Sequence, residues 1–139
     1  ISKYLVSTHL TLNESWYPFP FLEPLFALTY IHNTGAAFGL LQNQNLFFTI
    51  IAIVVISVIV YYVRSEQKID PVIALALALQ LGGATGNLID RLRQGYVVDF
   101  LHLSFWAISN VADVCISTGV VLLAYHLIFR IPSAQTTDG

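Results

Sequence analysis

LFFTIIAIVVISVIVYYV, residues 46–63, runs without a single charged side chain. Wound as an α-helix at 1.5 Å per residue, it is about 27 Å long, close to the thickness of a bilayer's hydrocarbon core. Tyr61 and Tyr62 close it where interfacial aromatics belong, and the polar run 64–68 (RSEQK) follows as a turn. The whole composition agrees with a membrane protein. Of 139 residues, 56% are hydrophobic and only 10% charged, and the mean hydropathy is +0.71. A soluble domain carries about a quarter charged residues. A net charge of −2 leaves no basic patch to neutralise phosphates, which argues against a nucleic-acid partner. Cys115 is the single cysteine, so no internal disulfide forms. His9, His32, His102 and His126 make no HxxxH or HExxH spacing, so no metal site is expected.

Outward from this span, two further segments are long enough to cross. Residues 71–89 open on Pro71, a favoured first-turn residue, and continue VIALALALQLGGATGNLI. Residues 106–129 run from Trp106 to Phe129, before Arg130. Residues 1–10 read as the end of another membrane helix. The chain opens on Ile1 in an apolar stretch, with no basic segment and cleavage site of a signal peptide, so half a span is expected to precede it. The expected chain, residues 1–139, is therefore one membrane-embedded domain of all-α class, with three full spans and the truncated end of a fourth helix at its start.

Two polar-aromatic connections join the spans. Residues 11–45 contain Trp16, Tyr17, Pro18, Pro20 and Pro24 and the β-prone run 26–31 (FALTYI); residues 91–105 contain a second strand-like piece at 95–101. Alternation of the spans puts both on one side, and puts the 64–70 turn and the C-terminus on the other. Loop cations do not orient the chain: Arg64, Lys68 and Arg130 balance Lys3, Arg91 and Arg93.

Polar residues in such a chain need a reason. A carboxylate within a spanning helix costs about 2.5–3.5 kcal/mol even on the lenient insertion scale. Asp113 lies in the third span, about 10 Å in from Trp106 at helical rise, with Asn110 and Ser117 on its face. It reads either as a helix-start residue that caps or snorkels, or as one half of an acid–base pair. Asp99 follows the strand-like residues 96–98 on the same side, and alone is an ordinary loop carboxylate. Brought together, two carboxylates share one proton, so that one takes a proton from water while the other gives one to a peptide carbonyl. Gly82 and Gly86 form a GxxxG step suited to close helix packing. Gly83, Asn87 and Arg91 share a face beside Asp90; this is either a binding surface, with a forked donor at Arg91, or an interfacial ion pair. After the β-prone run, residues 31–39 (IHNTGAAFG), with Asn33 and Gly35, read as a tight turn entering a helix, whose amides could receive a substrate main chain. Cys115 and His126 read as packing.

Four ordered blocks, NTGAAFG at 33–39, GGATGNLIDR at 82–91, VVDFL at 97–101 and NVAD at 110–113, together resemble the bacterial lipoprotein signal peptidases, the signal peptidase II family. The resemblance spans Lys3 to about Arg130. It implies a four-helix membrane bundle with a small extracytoplasmic β-cradle, near residues 11–32 and 94–101, both termini cytoplasmic, in the bacterial plasma (inner) membrane. It implies Asp99 and Asp113 as catalytic dyad; Asn33, Gly35, Asn87, Arg91 and Asn110 as substrate-binding; and Lys3, Gly83, Gly86 and Asp90 as structural support. The implied substrate is a diacylglyceryl-modified prolipoprotein, cleaved before the lipidated cysteine by a monomer in contact with membrane lipid, with no cofactor or metal. The family is inhibited by globomycin, which occupies the dyad. The chain departs from the family pattern in three places: an Asp-Gln ahead of Lys3 is absent, Ser109 stands where an aromatic is usual, and the stretch between the two aspartates is short. A transport or proton-relay protein is the alternative reading; it predicts polar residues spread through the depth of the spans, whereas here they gather at one end and 46–63 carries no charge.

Overall fold

The computed structural model of this chain describes residues 1–35 and 41–129. Among these residues three helices are long and apolar enough to cross a membrane: α2 (Asn45–Ser65), α3 (Pro71–Gln94) and α4 (Val111–Phe129). A shorter helix, α1 (Ser2–His9), precedes them, and three strands make one antiparallel sheet in the order β1 (Ser15–Trp16), β2 (Phe26–Asn33), β3 (Val97–Leu103). The protein is thus a multi-pass membrane protein with a small antiparallel sheet at one end. The large side chains that α2 turns outward, among them Ile50, Ile53, Val54 and Val58, would be a liability in water and are solvated by lipid tails in a bilayer.

Helix boundaries follow local chemistry that hydropathy does not see. α3 does not stop at 89: it runs on through Asp90, Arg91 and Arg93 to Gln94, where Gly95 at φ +80° takes the left-handed cap and donates to the Arg91 carbonyl. Its start is as expected, with Asp70 as N-cap accepting from the Val72 amide and Pro71 in the first turn. The third span starts later than 106. Residues 104–110 turn back on the sheet, where Ser109 pairs with Leu101: its carbonyl accepts from the Phe100 and Leu101 amides, and its own amide donates to Leu101. Only then does α4 begin, so Asp113 lies in the first turn of the helix, not two turns inside it.

α3 and α4 pack antiparallel with little between them. A Cβ on Gly83 would strike the Ala112 carbonyl and come within 2.7 Å of Ile116, and one on Gly119 would meet the Ala76 carbonyl and come within 2.7 Å of the Gln80 stem. These two glycines, seven residues from Ala76 and Ala112 respectively, set the seam. Of the expected GxxxG pair, Gly86 is in ordinary contact with Ala112, but Gly82 has nothing within 4 Å of where a Cβ would be. The close approach belongs to Gly83, one residue along.

The sheet has two faces. Val98 and Phe100 on one side pack with Val6 of α1 in a small core that also takes in Leu10, Tyr30 and Tyr96. The opposite face carries Asn33, Val97 and Asp99. Strand β2 pairs with β3 through Ile31↔Asp99 and Asn33↔Val97, with an irregularity between Leu28 and Ile31. Side-chain alternation therefore directs Asn33 and Asp99 the same way.

Candidate active site

Asp99 is 1% exposed and Asn110 is fully buried, an unusual place for two polar side chains, and each accounts for the other. The Asn110 amide donates to Asp99 Oδ1 at 2.6 Å, and Asn33 donates to Asp99 Oδ2 at 2.7 Å. Both carboxylate oxygens are thus satisfied inside the protein, as burial of such a group demands. Burial pushes Asp99 up to about 6; the Asn33 and Asn110 bonds pull against that shift, and the nearby Asp113 charge adds to it.

Asn110 also starts α4. Its side-chain carbonyl accepts from the Asp113 amide at 3.1 Å, while Asp113 Oδ2 accepts from the Asn110 amide at 3.2 Å. This is a reciprocal capping box built from Asn and Asp. The capping reading of Asp113 was correct about the geometry, but the cap does not use up the carboxylate. Its other oxygen, Oδ1, accepts from Asn87 of α3 at 2.7 Å, and it lines the same cleft as Asp99. The two carboxylates are therefore held by a shared neighbour: Asn110 touches both, and its amide also donates to Asn87 Oδ1 at 3.2 Å.

Beneath them lies the only ion pair with a fixed cation among the described residues. Lys3 donates to Asn87 Oδ1 and to Asp90 Oδ2, both at 2.7 Å, and the same Asp90 oxygen accepts the Val98 amide at 3.0 Å. Asp90 thus ties α1 and β3 to α3, one residue before Asp99. The alternative of an Asp90–Arg91 pair does not hold. Arg91 points into the cleft with its guanidinium 5.5 Å from the Phe48 ring, a cation–π contact that the sequence reading did not anticipate.

Together these side chains rim a cleft of about 440 Å³ between α2, α3, α4 and the sheet. Asn33, Gly35, Asn87, Arg91, Asp99 and Asp113 line its polar end; Phe48, Ile51, Ala52 and Val55 of α2 line its apolar wall. Gly35 is placed by an Asx turn, its amide donating to Asn33 Oδ1 at 2.9 Å. The rest of the expected turn into a helix, residues 36–39, lies outside the described residues, as does Arg130. Gly83 and Gly86 do not face this cleft; with Lys3 and Asp90 they line the neighbouring groove between α1, α3 and α4. Sequence reasoning singled out Asn33, Gly35, Asn87, Arg91, Asp99 and Asp113, which line this cleft, but it missed Gln80 in the same lining, Asn110 as the centre, Phe48 beneath Arg91, and Gly119. A lone glycine in an apolar span was the available signal for Gly119.

Over residues 1–129 the sequence matches the family described as Signal peptidase (SPase) II. It is 47% identical over 128 residues to the lipoprotein signal peptidase of Moorella thermoacetica, covering 92% of this chain and 83% of that protein. It is 42% identical over 133 residues to the lipoprotein signal peptidase of Symbiobacterium thermophilum, covering 92% and 85%. Its fold superposes on a bacterial membrane enzyme solved by the in meso method at 2.3 Å resolution, with a TM-score of 0.86 and 29% identity over 99% of this chain and 85% of that one.

Proposed function

This chain belongs to the signal peptidase II family, and on that premise we propose that it is an aspartyl endopeptidase that removes the signal peptide from diacylglyceryl-modified prolipoproteins, cutting before the lipidated cysteine. The observation that carries the reading is Asn110, one side chain that holds Asp99 and fixes Asp113 at the rim of one cleft.

In this reading Asp99, pushed up to about 6 by burial, keeps the pair's proton and gives it to the scissile carbonyl oxygen. Asp113 takes a proton from the attacking water; as the tetrahedral intermediate collapses, that proton passes to the leaving amine and the proton on the former carbonyl oxygen returns to Asp99. The amides of Asn33, Asn87 and Asn110 keep both carboxylates aimed without supplying a proton themselves, and Arg91 and the Gly35 backbone bind the peptide near the cut. Lys3, Asp90, Gly83 and Gly86 act as support, holding α1, α3, α4 and β3 in register. Neither a metal nor a cofactor enters the scheme.

The placement suits a lipid-bearing substrate. Exposed aromatics at the sheet end, Trp16, Phe19, Phe21, Phe105 and Trp106, suit a membrane interface, and Trp106 lines the same cleft as the carboxylates. Acyl chains stay in hydrocarbon at about 0.8 kcal/mol per buried CH₂ while the peptide reaches the cleft. The assignment is a monomer in the bacterial inner membrane, the four helices forming one bundle, residues 1–139 one domain, and the sheet a cradle on the extracytoplasmic side.

The test is a gel-shift cleavage assay on a purified prolipoprotein, with and without prior diacylglyceryl modification. Cleavage of the modified form alone is expected. Equal cleavage of both forms removes the lipid from the recognition scheme, and cleavage of neither removes the proposed activity.

A further inference from the structure

The cleft extends well beyond its carboxylates. Its deep end is lined by Gln80, Ile116 and Ser117, facing Ile51, Ala52 and Val55 of α2. Gln80 lies seven residues before Asn87 on α3, about 10 Å further into the membrane at helical rise. Its stem crosses α4 at Gly119, where a Cβ would come within 2.7 Å of Gln80 Cγ, so the absence of a side chain at Gly119 gives this amide its path. Gln80 Nε2 is buried and has no hydrogen-bond partner among the described residues. A buried amide donor in a spanning helix is costly to leave unpaired. A water would be poorly held there, because it needs two to four polar neighbours and Ser117 is the one side chain nearby that lines the cleft with a hydroxyl.

We propose that Gln80 is a substrate-binding residue whose amide donates to a main-chain carbonyl of the signal segment, about three residues before the cleaved bond. The inference rests on the peptidase reading above. Carboxylates reach a peptide bond only where the signal helix has unwound, and the last four carbonyls of a helix have no donor of their own. In hydrocarbon those carbonyls require a partner. An extended strand rises about 3.3 Å per residue, so 10 Å corresponds to roughly three residues upstream. Gln80 thus donates to the carbonyls that unwinding exposes, and it does so without reading side chains.

The experiment compares the full chain with Gln80→Met, which keeps the stem against Gly119 and removes the donor. Three kinds of lipidated substrate are used: the diacylglyceryl form, a dialkylglyceryl ether form without ester carbonyls, and a set with one backbone ester, a weaker acceptor, placed two, three or four residues before the cut. On the first two, kcat/KM of the variant is expected to fall about fivefold to tenfold, carried mainly by KM. For one member of the ester set the wild type should fall by a similar factor, and the variant should then lose no more than about twofold relative to it. A deficit that vanishes on the ether form means the donor reads the lipid ester instead; a deficit unchanged across every ester, or no deficit at all, means packing or water only. Each of these overturns the proposal. Should Gln80→Met fail to accumulate, the wild type's response along the ester set decides alone, since a flat response leaves no carbonyl for Gln80 to read. A wild type that cleaves none of the lipidated substrates sinks the peptidase reading itself, a result separate from any difference between the two proteins.

Discussion

The seam between α3 and α4 and the outer face of α2 are both membrane-spanning and apolar, yet they are built on opposite rules. At the seam, Gly83 and Gly119 bring two backbones together and the polar side chains gather at its upper end, so Asn87 can reach Asp113. On α2, Ile50, Ile53, Val54 and Val58 face outward, and the buried positions are only Thr49, Ala52 and Ile59. Hydropathy marks which helices cross; it says little about which helices hold each other. In lipid, large apolar side chains gain little by meeting one another, so packing is written in small residues and hydrogen bonds.

The contrast breaks most sharply at the carboxylates. Replacing Asp99 or Asp113 by Asn should lower kcat by about 10³-fold or more while the protein still inserts and purifies folded. Turnover within tenfold of the wild type in either variant removes the acid–base pair. Next in size is the seam. Gly83→Val or Gly119→Val drives a side chain into a backbone carbonyl and should cost about 1–3 kcal/mol in a detergent unfolding assay. Gly82→Ala, one position away with open space around it, should be neutral. Equal losses at Gly82 and Gly83 would show that the seam is not where the two glycines place it.

A pH profile sharpens the comparison further. Burial pushes Asp99 up to about 6, so in the proposed mechanism the free enzyme loses above that pH the proton that Asp99 is to donate. The alkaline limb of kcat/KM should fall near 6, and that of kcat at higher pH, because bound substrate removes more water from the same carboxyl. Coincident limbs would mean that substrate leaves Asp99 in the same surroundings. The sign for stability follows from the same shift. A carboxyl raised from 3.8 to about 6 binds its proton more tightly when folded, so stability declines as pH rises through that window, by about 3 kcal/mol in full, and is flat above it. The smallest effect belongs to α2: Val54→Ala, on its outer face, should change stability and kcat/KM by less than about 0.5 kcal/mol each.

Periodicity and hydropathy made the three spans legible because each is long and uninterrupted. The boundaries were not, for reasons that can be named. α3 carries Asp90, Arg91 and Arg93 past the apolar run because nothing there breaks a helix until Gly95. α4 starts at Val111 because Ser109 is engaged with Leu101 and Asn110 is a cap, neither of which a hydropathy window registers. The polar residues of the site were visible as misfits in apolar surroundings. Their connections were not, since Asn110 bonds to a strand eleven residues earlier and Lys3 bonds to a helix 87 residues later.

That long span has a consequence for how the protein is made. The site draws Lys3 from α1 and Asp113 from α4, with Asp90 and Asp99 between them. A nascent chain leaving the translocon one helix at a time lacks Asn110 and Asp113 until α4 has entered, so Asp99 has neither its cradle nor its partner. On the proposed mechanism, proteolytic competence arrives only once α4 is in place, and a chain without it holds no blade.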